Sequence, residues 1–256
     1  TANPTFHLHN HRGDVRIEGW DQLLIELEGR PGSEAVDVTI AGGEQQVSVQ
    51  VHPRRDASAK DARMDFTVRV PRQAAVRIDS ERGQVVVKNL EGSLAIEGVS
   101  TAVSVSQARG QITIRTVDGP IQIHSATGSI NADSISGDLR FVQVNGPELV
   151  ANTNSGTIRY EGDFGEGGTY VLNNYSSPID ILATAKASFR LTARAVMGAI
   201  QNSLSFRPTP LSNAFRRLSP AKYLQGQFNS GDSTVRVTSY SGTIRVRASG
   251  SQEHAP

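Results

Sequence analysis

Three histidines alternate near the start of the chain: His7, His9 and His11, in the segment HLHNH. Residues two apart on a strand share a face, so the three imidazoles would project together and could ligate nickel, copper or zinc. The same spacing also describes a polar outer face with Leu8 packed inward. His52, His124 and His254 are scattered and mark no site. Arg12-Gly13-Asp14 spells the tripeptide used in adhesion by animal proteins, but Gly13 also fills a turn position of the repeat described below. Carboxylates that cleave a glycosidic bond must pair at a fixed separation. Here they are dispersed. Aligned on the repeat, Glu91 falls with Arg109, Thr127 and Asn145, and Asp118 falls with Arg82, Ser100, Ser136 and Ser155. The sequence has neither a phosphate-cradling glycine loop nor a Gly-x-Ser-x-Gly elbow. Cysteine is absent, which removes disulfides, thiol catalysis and cysteine-bound metals. We therefore expect no catalytic residue, no cofactor, and no metal beyond the candidates His7, His9 and His11.

The elements that position these residues follow a repeat. Gly83, Gly92, Gly110, Gly119, Gly128, Gly137 and Gly146 are spaced by nine or eighteen, with Thr101 in the one slot without glycine. The next step, to Gly156, is ten, which places one inserted residue near Pro147. Each unit is a turn ending in glycine, then a short strand of alternating apolar residues, as in ARGQITI and VDGPIQI. Glycine suits such a turn because positive φ is costly for other residues. Alternate units differ. One kind carries Leu90, Ala108, Ala126 or Val144 two before the slot, and the other carries Ser80, Thr116, Ser134 or Thr153 three before it. The period is therefore eighteen, with two short strands per coil. Stacking the coils gives apolar columns: Val85, Val103, Ile121, Leu139 and Ile158; Leu94, Ile112, Ile130 and Leu149; Val87, Val105, Ile123, Phe141 and Tyr160.

Such columns are what a β-solenoid requires, because one coil cannot bury its inward face alone. Parallel crossovers are right-handed in nearly all proteins. The expected fold is all-β: a right-handed parallel β-solenoid, β-helix-like, with about eighteen residues per coil in the middle. The competing arrangement, an antiparallel sandwich, does not need an eighteen-residue beat. A GGxGxD calcium repeat also has period nine, but no aspartate column is present here. We read one β-solenoid domain over 1–256. Within it, 1–79 holds N-terminal strands and a polar loop, 80–160 the regular repeats, and 161–202 less regular coils. A helical insertion or cap occupies 203–228, and the final strands 229–248.

The insertion breaks the pattern. Thr209 caps and Pro210 starts an expected helix with Leu211, Phe215 and Leu218 on one face. An exposed solenoid end needs a cover, and this segment could supply one. It could instead dock a neighbouring subunit, with Phe206, Arg207, Leu211, Phe215, Arg216, Arg217, Lys222 and Tyr223 as interface candidates. Structural turns are expected at the seven glycines above and at Gly156 and Gly242. Of fourteen aromatic residues, eleven follow residue 140, which fits a wider core in the later coils or, as the alternative, an interface, where aromatics are favoured.

The formal net charge is +1, and charged residues make up 20% of the chain. This balance gives no support to nucleic-acid binding, which needs a basic excess on one face. No apolar run approaches the ~18 residues of a membrane span. The chain starts at Thr1 rather than Met, as a processed or truncated product would, and a cleaved export signal or a shortened boundary would each account for it.

Four features together resemble a known family. They are the opening strand pair around Gly13–Trp20, the strand-then-proline step DFTVRVP ending at Pro71, the serial Gly-x-[Ile/Val]-x-[Ile/Val] units from Gly83, and the closing SYSGTIRV. In that order they resemble the toastrack-type "putative adhesin" family of bacteria, over roughly residues 6–247. The resemblance implies a β-helix outside the cytoplasm and no established catalytic residues. The expected function is a non-catalytic, extracytoplasmic structural or adhesive protein, secreted or at the cell surface. Its partner would be itself, stacked head to tail as a filament that also holds the polar ends TANP and SQEHAP, or a cell-surface component. The alternatives are an envelope sensor or scaffold that binds a partner in signalling, and a carbohydrate-active β-helix enzyme.

Overall fold

The computed structural model of the chain describes residues 3–43, 45–54, 58, 61–208 and 222–249. The described residues contain no helix; their regular structure is strand. The chain divides into two units, Thr1–Ala126 and Thr127–Pro256.

The first unit holds β1 (Thr5–Arg12), β2 (Val15–Trp20), β3 (Glu26–Pro31), β4 (Val36–Gly42) and β5 (Gln46–Pro53). It continues with β6 (Met64–Pro71), β7 (Ala75–Lys88), β8 (Leu94–Ser106), β9 (Ile112–Thr116) and β10 (Ile121–His124). Two parallel stacks run through it. In one, β5, β1, β7, β8 and β9 lie side by side, with Leu8 between Val49 and Ile78, then Ile96 and Ile114. In the other, β6, β2, β7, β8 and β10 do the same, with Ile17 between Val68 and Val87, then Val105 and Ile123. Partners from β7 onward are eighteen apart, as Val85, Val103 and Ile121 show. The long strands β7 and β8 contribute to both stacks. Each named residue is buried and its neighbours in sequence face outward. Strands β3 and β4 run antiparallel along β6 and β5.

The second unit holds β11 (Ser129–Ser134), β12 (Leu139–Val142), β13 (Glu148–Thr153), β14 (Ile158–Gly162), β15 (Thr169–Asn174) and β16 (Ile179–Ala183). It ends with β17 (Phe189–Ala195), β18 (Ala199–Asn202), β19 (Arg207–Pro208), β20 (Tyr223–Phe228), β21 (Ser233–Ser239) and β22 (Thr243–Ala248). Here β11, β13, β15, β21 and β17 are parallel neighbours. The second stack is β12, β14, β16, β22 and β18. Its core is broader and aromatic, with Phe141, Tyr160, Phe164, Tyr170 and Phe189 buried.

Stacking order departs from chain order at both termini. The N-terminal strands β1 and β2 lie between β5–β6 and β7. The C-terminal strands β21 and β22 lie between β15–β16 and β17–β18. A strand paired on both sides has its backbone N–H and C=O groups satisfied, whereas an edge strand exposes half of them.

The expected helix falls on 209–221, and Leu211, Phe215, Arg216 and Arg217 lie outside the described residues. The described flanks, 203–208 and 222–228, hold no helix, so the helical reading does not extend to them. Instead β20 pairs antiparallel with β17, and β19 with β20. The antiparallel register of β20 against β17 and the packing of Phe206 against Phe189 and Phe228 place these described flanks in the sheet.

The corners explain the residue preferences of the repeat. Ser134 Oγ accepts the Gly137 N–H at 2.9 Å, Thr153 Oγ1 that of Gly156 at 3.1 Å, and Ser239 Oγ that of Gly242 at 2.9 Å. Each hydroxyl is buried and closes its own turn, which is why Ser or Thr stands three before the glycine. The glycines answer two requirements rather than one. Gly83 has φ +139°, and Gly110 and Gly128 are also in the positive range. At Gly119 the constraint is space: a Cβ there would stand 2.0 Å from the Thr101 carbonyl oxygen of the adjacent turn. Gly92, Gly146, Gly156 and Gly242 repeat that close approach. Positive φ also falls on non-glycine residues, Asn89, Gln107, Ser125 and Gln143, again eighteen apart.

Candidate functional site

The histidines of HLHNH do share the outer face of β1, but carboxylates on β7 engage two of them. His7 Nε2 lies 2.7 Å from Asp79 Oδ2, and His11 Nδ1 lies 2.9 Å from Glu81 Oε1. The rings of His9 and His11 meet edge to face at 4.9 Å. Among the described residues, no three His, Cys, Asp or Glu side chains gather as metal ligands. The Arg-Gly-Asp tripeptide is also tied into the fold. Asp14 accepts hydrogen bonds from Arg63 Nη2 at 2.8 Å and from the Gln84 N–H at 3.2 Å. Of the insertion candidates, Phe206 and Tyr223 pack inward, and Lys222 Nζ donates to the Met197 and Gly198 carbonyls. Arg207 is exposed on β19.

Another surface, entirely within the second unit, brings together residues the sequence reading did not single out. Register aligns Asp133, Asn152, Asn173 and Thr238 in one row across β11, β13, β15 and β21. The row is hydrogen-bonded head to tail: Asn173 Nδ2 donates to Asn152 Oδ1 at 2.9 Å, and Asn152 Nδ2 donates to Asp133 Oδ1 at 2.7 Å. Beside it runs a second row, at the first residue past each strand. There Tyr175 follows β15 and Tyr240 follows β21, held by Ser241 N–H to Tyr175 O at 2.8 Å and Val196 N–H to Ser239 O at 3.0 Å. The two tyrosine rings stack at 4.7 Å with an interplanar angle of 5°. They remain 52% and 43% exposed, beside the exposed Val196. The rows border an open groove of about 490 Å³. Strand spacing of ~4.8 Å sets the repeat of both rows, and the ring separation matches it.

The other tyrosines of this unit are structural. Tyr160 is buried, and its hydroxyl lies 2.5 Å from Val144 O and 2.6 Å from Asp163 O, so one proton is shared between two carbonyls. Burial pushes its phenol well above the ordinary tyrosine range, and Tyr170 moves the same way for the same reason. In the first unit, a hollow of about 370 Å³ lies beside Trp20 and Arg72. Two of its charges are paired: Arg72 Nε donates to Asp21 at 2.6 Å, and this bond holds that carboxyl below its usual range. Among the described residues no helix is long and apolar enough to cross a membrane.

The signal for the tyrosine pair was present in the sequence. NNYSSPIDI and TSYSGTIRV align with both tyrosines one before the corner serine, so treating them as adjacent coils superposes the rings.

The family model of Toastrack DUF4097 matches residues 32–249. No curated protein matches the chain. Two crystal structures resemble it at 10% identity, each covering 96% of this chain and 93% of its own. One is a "putative adhesin" from Bacteroides fragilis NCTC 9343, with a TM-score of 0.54. The other is a "putative cell adhesion protein" from Clostridium sporogenes ATCC 15579, with a TM-score of 0.32. The chain belongs to the Toastrack DUF4097 family.

Proposed function

We propose that this Toastrack chain is a non-catalytic, extracytoplasmic adhesive domain. Its scaffold is a right-handed parallel solenoid with about eighteen residues per coil in 80–160, and its binding face is the groove between the tyrosine and asparagine rows. The observation that carries the reading is the stacked, solvent-facing Tyr175–Tyr240 pair beside the amide row. Two large aromatic rings left half in water contrast with the buried Phe141, Tyr160, Tyr170 and Phe189 of the same unit, and such residues favour interfaces. A non-catalytic role is supported by the use of the strand carboxylates in ion pairs: Asp79 and Glu97 with Arg77, and Asp180 with Arg245 and Arg247. Antiparallel strands cover β5, β6 and β17, whereas β18 pairs with β22 alone among the described residues, so the strand edges do not decide head-to-tail assembly.

The test is attachment of the purified chain to intact bacterial and host cells, with surface proteolysis of the producing cell to locate the chain. Attachment lost in a Tyr175→Ala/Tyr240→Ala variant that still folds would support the reading. Undiminished attachment by that variant would remove the groove from the function. Protection from external protease would remove the location.

A further inference from the structure

The chemistry of the groove specifies its ligand, and we infer that it binds a neutral polysaccharide of pyranose rings. The inference rests on the adhesive reading of the same face and names what that face would hold.

Three observations converge. First, the stacked tyrosines are 52% and 43% exposed, so part of each ring stays open to water beside the amide row. An aromatic face is electron-rich, so it attracts the weakly positive C–H face of a sugar ring and rejects a hydrated anion. Second, the amide row offers donors and acceptors side by side. An asparagine carries two N–H donors and two lone pairs. After the bonds Asn173 to Asn152 and Asn152 to Asp133, each asparagine retains one N–H and spare acceptor capacity. Vicinal hydroxyls, each both donor and acceptor, are the complement of such a row. The bonds along the row also fix the amides in advance, so little side-chain freedom is lost on binding. Third, among the described residues that line the groove there is one carboxylate, Asp133, and no cation; Arg194 stands beyond the groove lining, beside Thr238 at the end of the row away from Asp133. Phosphate, sulfate and uronate chains carry a charge at each repeat and normally need Arg or Lys along their length, so a row with one arginine at its end and a carboxylate at the other selects an uncharged ligand. The apolar and polar rows both run across successive strands at the same spacing, so the ligand lies along them as a chain rather than as a single sugar.

The experiment uses the full chain with cellohexaose, chitohexaose and dextran as neutral probes and dextran sulfate as the anionic one, read by calorimetry and by retention on the insoluble polymers. At least one neutral probe should bind. Tyr175→Ala and Tyr240→Ala should each weaken it roughly tenfold or more. Tyr175→Phe should keep most of the affinity, and Asn173→Leu should lose it without loss of fold. Dextran sulfate should neither bind nor compete. Binding of none of the neutral probes, preference for dextran sulfate, or equal binding by the double alanine variant would overturn the inference. Cell attachment, measured in parallel, separates the two claims. Tyrosine-dependent attachment that survives periodate oxidation of the target surface but not its proteolysis would refute the sugar ligand and leave the adhesive face standing. Attachment indifferent to both tyrosines would refute both.

Discussion

Replacing Gly119 with alanine tests the claim that close approach between turns, and not backbone conformation alone, demands glycine in this repeat. Gly119 does not have positive φ, so conformation alone would tolerate the change. The added Cβ, however, would stand 2.0 Å from Thr101 O and 2.6 Å from its carbonyl carbon. An ordinary C···O contact is ~3.3 Å, so the turns must separate by about 1.3 Å. Three backbone bonds tie this corner to its neighbour: Val117 N–H to Gly98 O at 3.1 Å, Asp118 N–H to Val99 O at 2.8 Å, and Val103 N–H to Pro120 O at 2.9 Å. Stretched by that amount they exceed hydrogen-bonding distance. At about 1 kcal/mol each, with a similar allowance for residual strain, the loss is ~2–4 kcal/mol. For a unit of this size that lowers Tm by about 4–16 °C. Scanning calorimetry and urea unfolding should report it in the transition of the first unit. Gly43→Ala is the control, since a Cβ there meets nothing within 4 Å, and its effect should stay within about 0.5 kcal/mol. If Gly119→Ala melts within about 2 °C of the parent, the spatial account of the glycines is wrong.

Three further outcomes are expected. Gln107 is exposed and held at φ 53°; relief of left-handed strain, ~1–2 kcal/mol, less the entropy of glycine, leaves Gln107→Gly stabilised by about 0.5–1 kcal/mol in urea unfolding. An unchanged or lower midpoint would count against strain at that column. Tyr160 and Tyr170 have raised folded-state pKa values, so their contribution is fully present below the unfolded tyrosine value near 10 and declines as pH rises above it. Tyr160→Phe should cost ~1–3 kcal/mol at neutral pH by leaving carbonyls unpaired, yet show a shallower fall of Tm between about pH 10 and 12; parallel curves would contradict this. Ending the chain after Asn229 removes β21 and β22, which separate β15–β16 from β17–β18, so amide-exchange protection should vanish from 129–202 rather than fray at one end. Persistent protection of β13–β16 would show that the last strands are dispensable.

The parallel stacks were legible because their cause is local and periodic. Each coil solves the same problem of burying alternate aliphatic residues, so Val85, Val103 and Ile121 repeat in sequence and meet in space. The buried serine or threonine before the glycine was visible for the same reason, although its task of closing the turn emerged only with Ser134, Thr153 and Ser239 in place. Two things escaped. Left-handed backbone at Asn89, Gln107, Ser125 and Gln143 leaves no compositional trace, since stack geometry imposes it on whatever residue is there. The helix expected from Thr209 and Pro210 lies outside the described residues, but the strand pairing of its flanks, β20 on β17 and β19 on β20, was not visible in 203–228, because tertiary pairing outweighs local propensity in short segments.

The binding face escaped for a related reason. Periodicity exposes what faces inward, because the core imposes one residue type on every coil, while outward positions vary freely from coil to coil. Tyr175 and Tyr240 are sixty-five residues apart, and Asn152 and Asn173 twenty-one. The asparagines meet where β13 pairs with β15, and the tyrosines only because β21 pairs directly with β15, ahead of β17. The C-terminal strand in the interior of the stack therefore has two consequences. It is paired on both sides, and it brings Tyr240 against Tyr175. Had the coils stacked in chain order, β17 would lie next to β15 and Val196 would occupy the place beside Tyr175, leaving the amide row without an aromatic pair. The same topology that protects the end of the chain thus builds the groove, and a variant that restored chain-order stacking would lose both together.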